Sequence, residues 1–368
     1  MMKINISQFD LLESLKIVSR AVSGANTLPV LGNILIKAEG KKVYFAATNL
    51  ELSITTSSEA TIKNEGAITV PAKILTSYTS LLKKDEDVEL SVSDGTTLEV
   101  KSKTSRTKIK GISADEFPSI TTVDAGTKLD LDAKDFRESV HKVAFAAQEN
   151  SSRPILAGVY FATDKDQLTM AATDSYRLSE KVLKLAGEVA KTTCVIPVRA
   201  VSEADRLASA GEKVSITISE NQVMFTVGNT KLTSRLIDGQ FPDYKQIIPK
   251  SALTKIEIPK DEFELAVRRV SIFARQNNQH MKLEVQGDGN LLVSTDATEI
   301  GEDKTTIPVK VDGSSNAIAL NADYVLDVLG ALAKEENIIL ELDSKMAPAV
   351  FKGAKTEGFV HLIMPLKM

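Results

Sequence analysis

Three stretches of the chain open with the same change of rhythm. Apolar and polar residues first alternate, and then apolar residues fall every third or fourth position. The stretches are Lys3-Ile4-Asn5-Ile6-Ser7-Gln8-Phe9, Lys128-Leu129-Asp130-Leu131-Asp132-Ala133-Lys134-Asp135-Phe136 and Lys255-Ile256-Glu257-Ile258-Pro259-Lys260-Asp261-Glu262-Phe263. Alternation predicts a half-buried strand, and the longer period predicts one face of a helix. The phenylalanines stand 127 residues apart. The helix stripes run Leu11, Leu15, Val18, Val22; Phe136, Val140, Val143, Ala147; and Phe263, Val267, Val270, Ala274. Acidic residues sit at the predicted helix starts (Asp10, Asp132, Asp135, Asp261, Glu262), where the peptide dipoles favour negative charge.

Further landmarks recur in the same order. A hairpin is predicted after each helix, at residues 34–47, 159–172 and 283–295. Its turns are Glu39-Gly40-Lys41, Asp164-Lys165-Asp166 and Asp288-Gly289-Asn290. Thr48-Asn49, Thr173-Asp174 and Thr295-Asp296 follow. A strand then enters a second helix at Val70-Pro71-Ala72-Lys73, Ile196-Pro197-Val198-Arg199 and Leu320-Asn321-Ala322-Asp323. Another hairpin is expected at 88–100, 214–227 and 338–351. Two units close on Phe117-Pro118 and Phe241-Pro242. The pattern predicts an α+β chain of three repeated domains, 1–125, 126–250 and 251–368, each with two helices packed on antiparallel sheets.

Composition narrows the chemistry. The chain has 368 residues, 45 basic and 49 acidic, for a net charge of −4. A nucleic-acid partner therefore requires locally sorted charge. No apolar run approaches the ~18 residues of a membrane span, and the N-terminus reads as a strand rather than a signal peptide. One cysteine, Cys194, and three histidines, His141, His280 and His361, predict no disulfide, metal site or cofactor. A lone cysteine of this kind fits a reducing cytoplasm. No phosphate-cradling glycine motif occurs, and the loop at Asp288 lacks the next calcium ligand because Leu292 stands there. Nothing in the sequence demands catalysis.

Several strings together resemble the bacterial DNA polymerase III beta subunit family, the DNA sliding clamps. They are Thr27-Leu28-Pro29-Val30-Leu31-Gly32-Asn33, Ala172-Thr173-Asp174-Ser175-Tyr176-Arg177-Leu178, Asp238-Gly239-Gln240-Phe241-Pro242-Asp243-Tyr244, Tyr324-Val325-Leu326-Asp327-Val328-Leu329 and Ile363-Met364-Pro365-Leu366. The resemblance covers the whole chain. It implies a ring of two chains joined head to tail around duplex DNA, with helices inside and sheets outside. It also implies a non-catalytic processivity factor that tethers the replicative polymerase, a clamp loader and other clamp-motif proteins.

Three sets of residues follow. The helices offer a basic, sequence-independent DNA-facing wall: Lys16, Arg20, Lys73, Arg137, Lys142, Arg199, Arg206, Arg268, Arg269 and Arg275, with Arg153 just after a helix. The resemblance implies a partner-peptide pocket at Leu156, Thr173, Ser175, Tyr176, Arg177, Leu178, Pro242, Ile247, Pro348, Leu362, Ile363, Met364, Pro365 and Leu366, in which Arg177 would help fix the peptide's direction. It places the homodimer interface at Arg106, Thr107, Ile109, Ile272 and Phe273. Ala25-Asn26, Thr107 and Gln246 depart from the family pattern. The rival readings are a repeat scaffold that binds proteins only, and a hydrolase.

Overall fold

The computed structural model describes residues 2–22, 28–148, 152–297, 299 and 301–367. Thr27 and the Ala25-Asn26 departure lie outside them. Contacts sort the chain into two units: Met1–Phe136 with Ser202–Leu236, and Arg137–Val201 with Ile237–Met368. The middle of the chain is thus shared between the two.

The first unit holds two antiparallel sheets. The five-stranded sheet runs Thr61–Asn64, Lys3–Ser7, Asp87–Val92, Thr97–Lys101, Arg106–Lys110. The eight-stranded sheet runs Thr127–Asp132, Lys213–Ile218, Gln222–Val227, Thr230–Arg235, Leu52–Glu59, Lys42–Thr48, Asn33–Glu39, Gly66–Pro71. Helix α1 (Gln8–Ser19) starts where the Ser7 hydroxyl accepts from the Asp10 amide, and it buries Leu11, Leu15 and Val18. Helix α2 (Ala72–Ser80) starts behind Pro71.

The even spacing of the phenylalanines overstates the repeat. Phe136 and Phe263 are fully buried, but Phe9 is 63% exposed. Leu11 takes the buried place, because it is the fourth residue of its helix, as Phe136 and Phe263 are of theirs. Helix α3 (Ala133–Val143) brings a second shift. It tightens into a 3₁₀ turn, Ala144–Ala146, so Ala146 rather than Ala147 is buried. Helix α4 is Val198–Ala208.

The second unit has a seven-stranded sheet: Gly158–Thr173, Arg177–Pro197, Phe359–Ile363, Ala349–Gly353, Asn337–Leu342, Thr254–Pro259, Lys310–Gly313. A four-stranded sheet runs Lys304–Pro308, Asn290–Ser294, His280–Val285, Asn316–Asn321. Helices α5 (Lys260–Ala274) and α6 (Ala322–Ala331) bury Phe263, Val267, Val270, Val325, Val328 and Leu329 in one core with residues of both sheets. At the predicted turn Asp164-Lys165-Asp166 the ladder shifts register between Thr163 and Gln167, and Lys165 takes a left-handed φ of 54°.

Two strand pairs carry the sheets from one repeat to the next. In the first, Leu52 faces Ser234 and Ser53 faces Thr233. In the second, Arg177 faces Ile363 and Leu178 faces Leu362. Both are antiparallel, and they use strands at matching places in their repeats.

Candidate partner cleft and cation-bearing helices

The turn between Gly158–Thr173 and Arg177–Pro197 is built by its own side chains. The Thr173 hydroxyl donates to the Arg177 carbonyl at 2.6 Å and accepts from the Ser175 amide at 3.1 Å. The Asp174 carboxylate accepts from the Tyr176 and Arg177 amides at 2.9 and 3.0 Å. Short polar side chains bonding backbone two and three residues on favour such turns. Ser175 is held at φ 80°, and Tyr176 projects at 65% exposure.

The C-terminal strand brings the rest. Beyond Phe359–Ile363, the Met364 amide donates to the Tyr176 carbonyl at 2.8 Å and the Leu366 amide to the Ala319 carbonyl at 2.8 Å. Leu178, Leu362 and Val350 lie side by side on three neighbouring strands. They face a cluster with Phe241 and Tyr244, opposite the face that carries Ile363, Ala349 and Phe351 into the helical core.

The predicted pocket residues therefore divide. Ser175, Tyr176, Pro242, Ile247 and Met364 are exposed, and Pro348, Pro365 and Leu366 are half-buried. Leu178 and Leu362 are buried in that apolar cluster, directly beneath the turn and the tail. Leu156, Thr173 and Ile363 are buried; Thr173 shapes the turn, and Ile363 points into the core.

Arg177 differs from the expectation. Its Nε bonds Asp174 at 2.9 Å, one terminal nitrogen bonds Asp327 on α6, and the other bonds the Phe145 carbonyl at 2.9 Å. Its guanidinium carbon lies 4.4 Å from the Tyr324 ring centroid and 5.5 Å from that of Phe145. These contacts make it a brace beneath the turn rather than a free hand for a peptide. The sequence missed Asp327, Phe145 and Tyr324 as its partners, because no local spacing joins them. Next to it, His361 is fully buried with Nδ1 2.6 Å from the Ser179 hydroxyl. Burial, with the Arg177 charge, pushes its imidazole down to about 3.

The helical cations also divide. Lys142 leaves the DNA-facing set. It is buried, with its ammonium 2.5 Å from Glu138 one turn earlier and 3.5 Å from the Thr356 hydroxyl. An amphipathic stem on the core side of α3 explains this. Arg153 sits beside the partner turn, 3.4 Å from the Ser175 hydroxyl. Lys16, Arg206 and Arg268 are exposed and paired with Glu13, Glu203 and Glu264, and Arg20 lies 4.0 Å from Glu203. Arg137 is half-buried. Lys73, Arg199, Arg269 and Arg275 are exposed with no ion pair among the described residues.

At the predicted interface, Arg106–Lys110 is the edge strand of its sheet. Arg106 is exposed and paired with Glu99, whose carboxyl it holds below the usual range. Thr107 is half-buried. Ile109 is buried within its own unit, so only its backbone is offered at the edge. Ile272 is 58% exposed. Phe273 is half-buried against Gly301, where an added Cβ would stand 3.2 Å from the ring. Lys304–Pro308 is an edge strand of the four-stranded sheet that the sequence did not single out, and its counterparts become visible only when the repeats are matched strand by strand.

Models of the DNA polymerase III beta subunit match in sequence: the N-terminal domain at residues 2–121, the central domain at 130–243 and the C-terminal domain at 245–367. A beta sliding clamp of Synechocystis is 32% identical, with 100% of both chains covered. A Bacillus subtilis DNA polymerase sliding clamp structure superposes with TM-score 0.96 at 28% identity, covering 100% of this chain and 99% of that one. A Pseudomonas aeruginosa sliding clamp bound to griselimycin superposes with TM-score 0.94 at 25% identity, covering 100% of both. The chain belongs to the DNA polymerase III beta subunit family.

Proposed function

We propose that two copies of this chain close head to tail around duplex DNA, and that the ring tethers the replicative polymerase as a processivity factor. The observation that carries the closure is the repeated joint. Strand Leu52–Glu59 pairs with Thr230–Arg235, and Arg177–Pro197 pairs with Phe359–Ile363, in corresponding register. The matching strands without partners are Arg106–Lys110 and the edge leading into Lys304–Pro308. Carrying the register over sets Lys108 opposite Glu302 and Thr107 opposite Asp303 of the second copy. A basic edge (Arg106, Lys108, Lys110) then meets an acidic one (Glu299, Glu302, Asp303).

The helices support the same closure. At the internal joints Arg20 after α1 reaches Glu203 on α4, and Glu138 on α3 reaches Lys334 after α6. The remaining pair, α5 and α2, instead carries exposed apolar residues: Ile272 at 58%, Ile74 at 57% and, just after α2, Leu81 at 84%. A second copy is the partner that covers both faces and leaves no open end to grow a filament.

Inside such a ring, Lys73, Arg199, Arg269 and Arg275 are the cations best placed to meet phosphates, since their charge is not spent on a neighbour. Contacts to phosphates carry no sequence information, which suits sliding. Partner peptides dock at the turn 173–178 and the tail 362–366. A clamp loader, acting at the nucleoid in the cytoplasm, opens the ring, since the sequence carries no phosphate-cradling glycine motif of its own.

Ile272→Asp tests the closure. Sedimentation of the wild type is expected at twice 39.8 kDa and of the variant at 39.8 kDa. A dimeric variant would remove α5 from the interface.

A further inference from the structure

The turn beneath the partner cleft has a twin one repeat earlier. The Thr48 hydroxyl donates to the Leu52 carbonyl at 3.0 Å and accepts from the Leu50 amide at 3.0 Å. The Asn49 side-chain oxygen accepts from the Glu51 and Leu52 amides at 3.1 and 2.8 Å. Leu50 stands at φ 76°, as Ser175 stands at 80°. The Arg235 amide donates to the Glu51 carbonyl at 3.0 Å, just as the Met364 amide donates to Tyr176. Ser53 faces Thr233 where Leu178 faces Leu362. Pro118 follows Phe117 as Pro242 follows Phe241. A cavity of about 260 Å³ opens there, lined by Leu50, Glu51, Ser53, Pro118, Thr233 and Arg235 among others.

The backbone is therefore shared and the chemistry is not. Ser53 and Thr233 replace the leucines of the floor. Arg235 replaces Met364, the adaptable thioether at the lip. The Ser53 hydroxyl already donates to Thr48 at 2.8 Å, so an apolar side chain entering this cavity would strip water chiefly from the Thr233 hydroxyl and the Arg235 guanidinium without giving a hydrogen bond in return.

We propose that the first repeat carries a silenced copy of the partner cleft, and that Ser53, Thr233 and Arg235 confine each chain to a single apolar peptide site. The inference rests on the partner-cleft reading above. Selectivity then lies in three side chains and not in the turn, which both repeats build alike. A chain with one such site presents partners on one repeat only, so two proteins on a ring must sit on different chains. Here discrimination works by building cost into the wrong site.

Titration calorimetry with griselimycin tests the proposal, using the full-length wild type, a Leu178→Ser/Leu362→Ser variant and a Ser53→Leu/Thr233→Leu/Arg235→Met variant. The wild type is expected to bind one equivalent per chain, the floor variant none and the triple variant two. One equivalent for a triple variant with wild-type circular dichroism would overturn the inference while leaving the cleft intact. Two equivalents for the wild type would also overturn it. No binding to the wild type, or unchanged binding to the floor variant, would overturn the cleft reading and the inference with it. If the triple variant fails to fold, Arg235→Met with Thr233→Val, a near-isosteric pair, replaces it, with at least a tenfold weaker second site expected and its absence counting against the proposal.

Discussion

Arg177 holds three parts of the second unit at one point. It joins the turn through Asp174, α6 through Asp327 and the end of the α3 segment through the Phe145 carbonyl. Removing it would leave the half-buried Asp174 carboxylate with its two backbone amides but no cation, and the Phe145 carbonyl without its guanidinium donor. Arg177→Met is expected to cost ~2–3 kcal/mol in urea unfolding, the range for breaking a buried charged network. Lysine should not rescue it, because it lacks the planar fork. A loss below ~0.5 kcal/mol would mean that the network is not a brace.

His361 gives the residue scale a pH signature. Its folded-state value lies near 3, against about 6.5 in an unfolded chain. The unfolded chain thus binds the extra proton between those values, so the contribution is fully present above pH 6.5 and is lost as pH falls towards 3. By pH 5 the loss is about 2 kcal/mol. His361→Phe should lack this component, so the stability of the wild type minus that of the variant should fall by about 2 kcal/mol between pH 7 and 5. Parallel curves would contradict the assignment. Cys194 is half-buried, and burial raises its thiol to about 12. It should therefore react with a disulfide reagent at pH 8 far more slowly when folded than in denaturant.

At the scale of elements, the helices and most hairpins were legible from the sequence, because alternation and the helical period are local properties, but the strands Leu52–Glu59 and Thr61–Asn64 were not expected, and the hairpin expected at 159–172 lies within one long strand, Gly158–Thr173. Leu11, Phe136 and Phe263 all close the same position, yet matching identical letters selected Phe9. Chemistry constrains the buried place to be apolar, not aromatic. Lys142 sat on the polar side by periodicity, but its stem packs inward and its ammonium meets Glu138. Such placements depend on neighbours far along the chain, as do the Arg177–Asp327 pair and the strand pairs between repeats. The candidate partner cleft was inferred through family resemblance. Its floor became distinguishable only when the sheet register showed Leu178 and Leu362 on one face and Ile363 on the other. Shortening Leu178 to alanine removes a buried leucine from that floor, which typically costs 2–5 kcal/mol. The expected loss of thermal stability separates this variant from an Ile247→Ala change at the exposed rim, where peptide affinity should fall with little change in stability.

For the whole molecule, a net charge of −4 leaves a DNA partner dependent on the helix cations that have no acidic neighbour. Many helix cations are matched by a glutamate on their own helix, and a few are not. Affinity for linear DNA is expected to be weak and strongly salt-dependent, because few phosphates are neutralised. Persistence on DNA must then come from topology. In the proposed ring, the charge on Lys73, Arg199, Arg269 and Arg275 would keep the duplex centred and shorten the search during loading. Reversing all four to glutamate should slow loading without reducing the dimer mass.

Encirclement is the central claim, and its most direct test compares retention on closed and open DNA. The protein is loaded on a nicked circular plasmid with its cognate loader and ATP, the plasmid is cut at one site, and bound protein is followed by gel filtration at 0.15 M salt. Stable co-elution with the circle and release within minutes of linearisation are expected. Equal retention on both forms would contradict it.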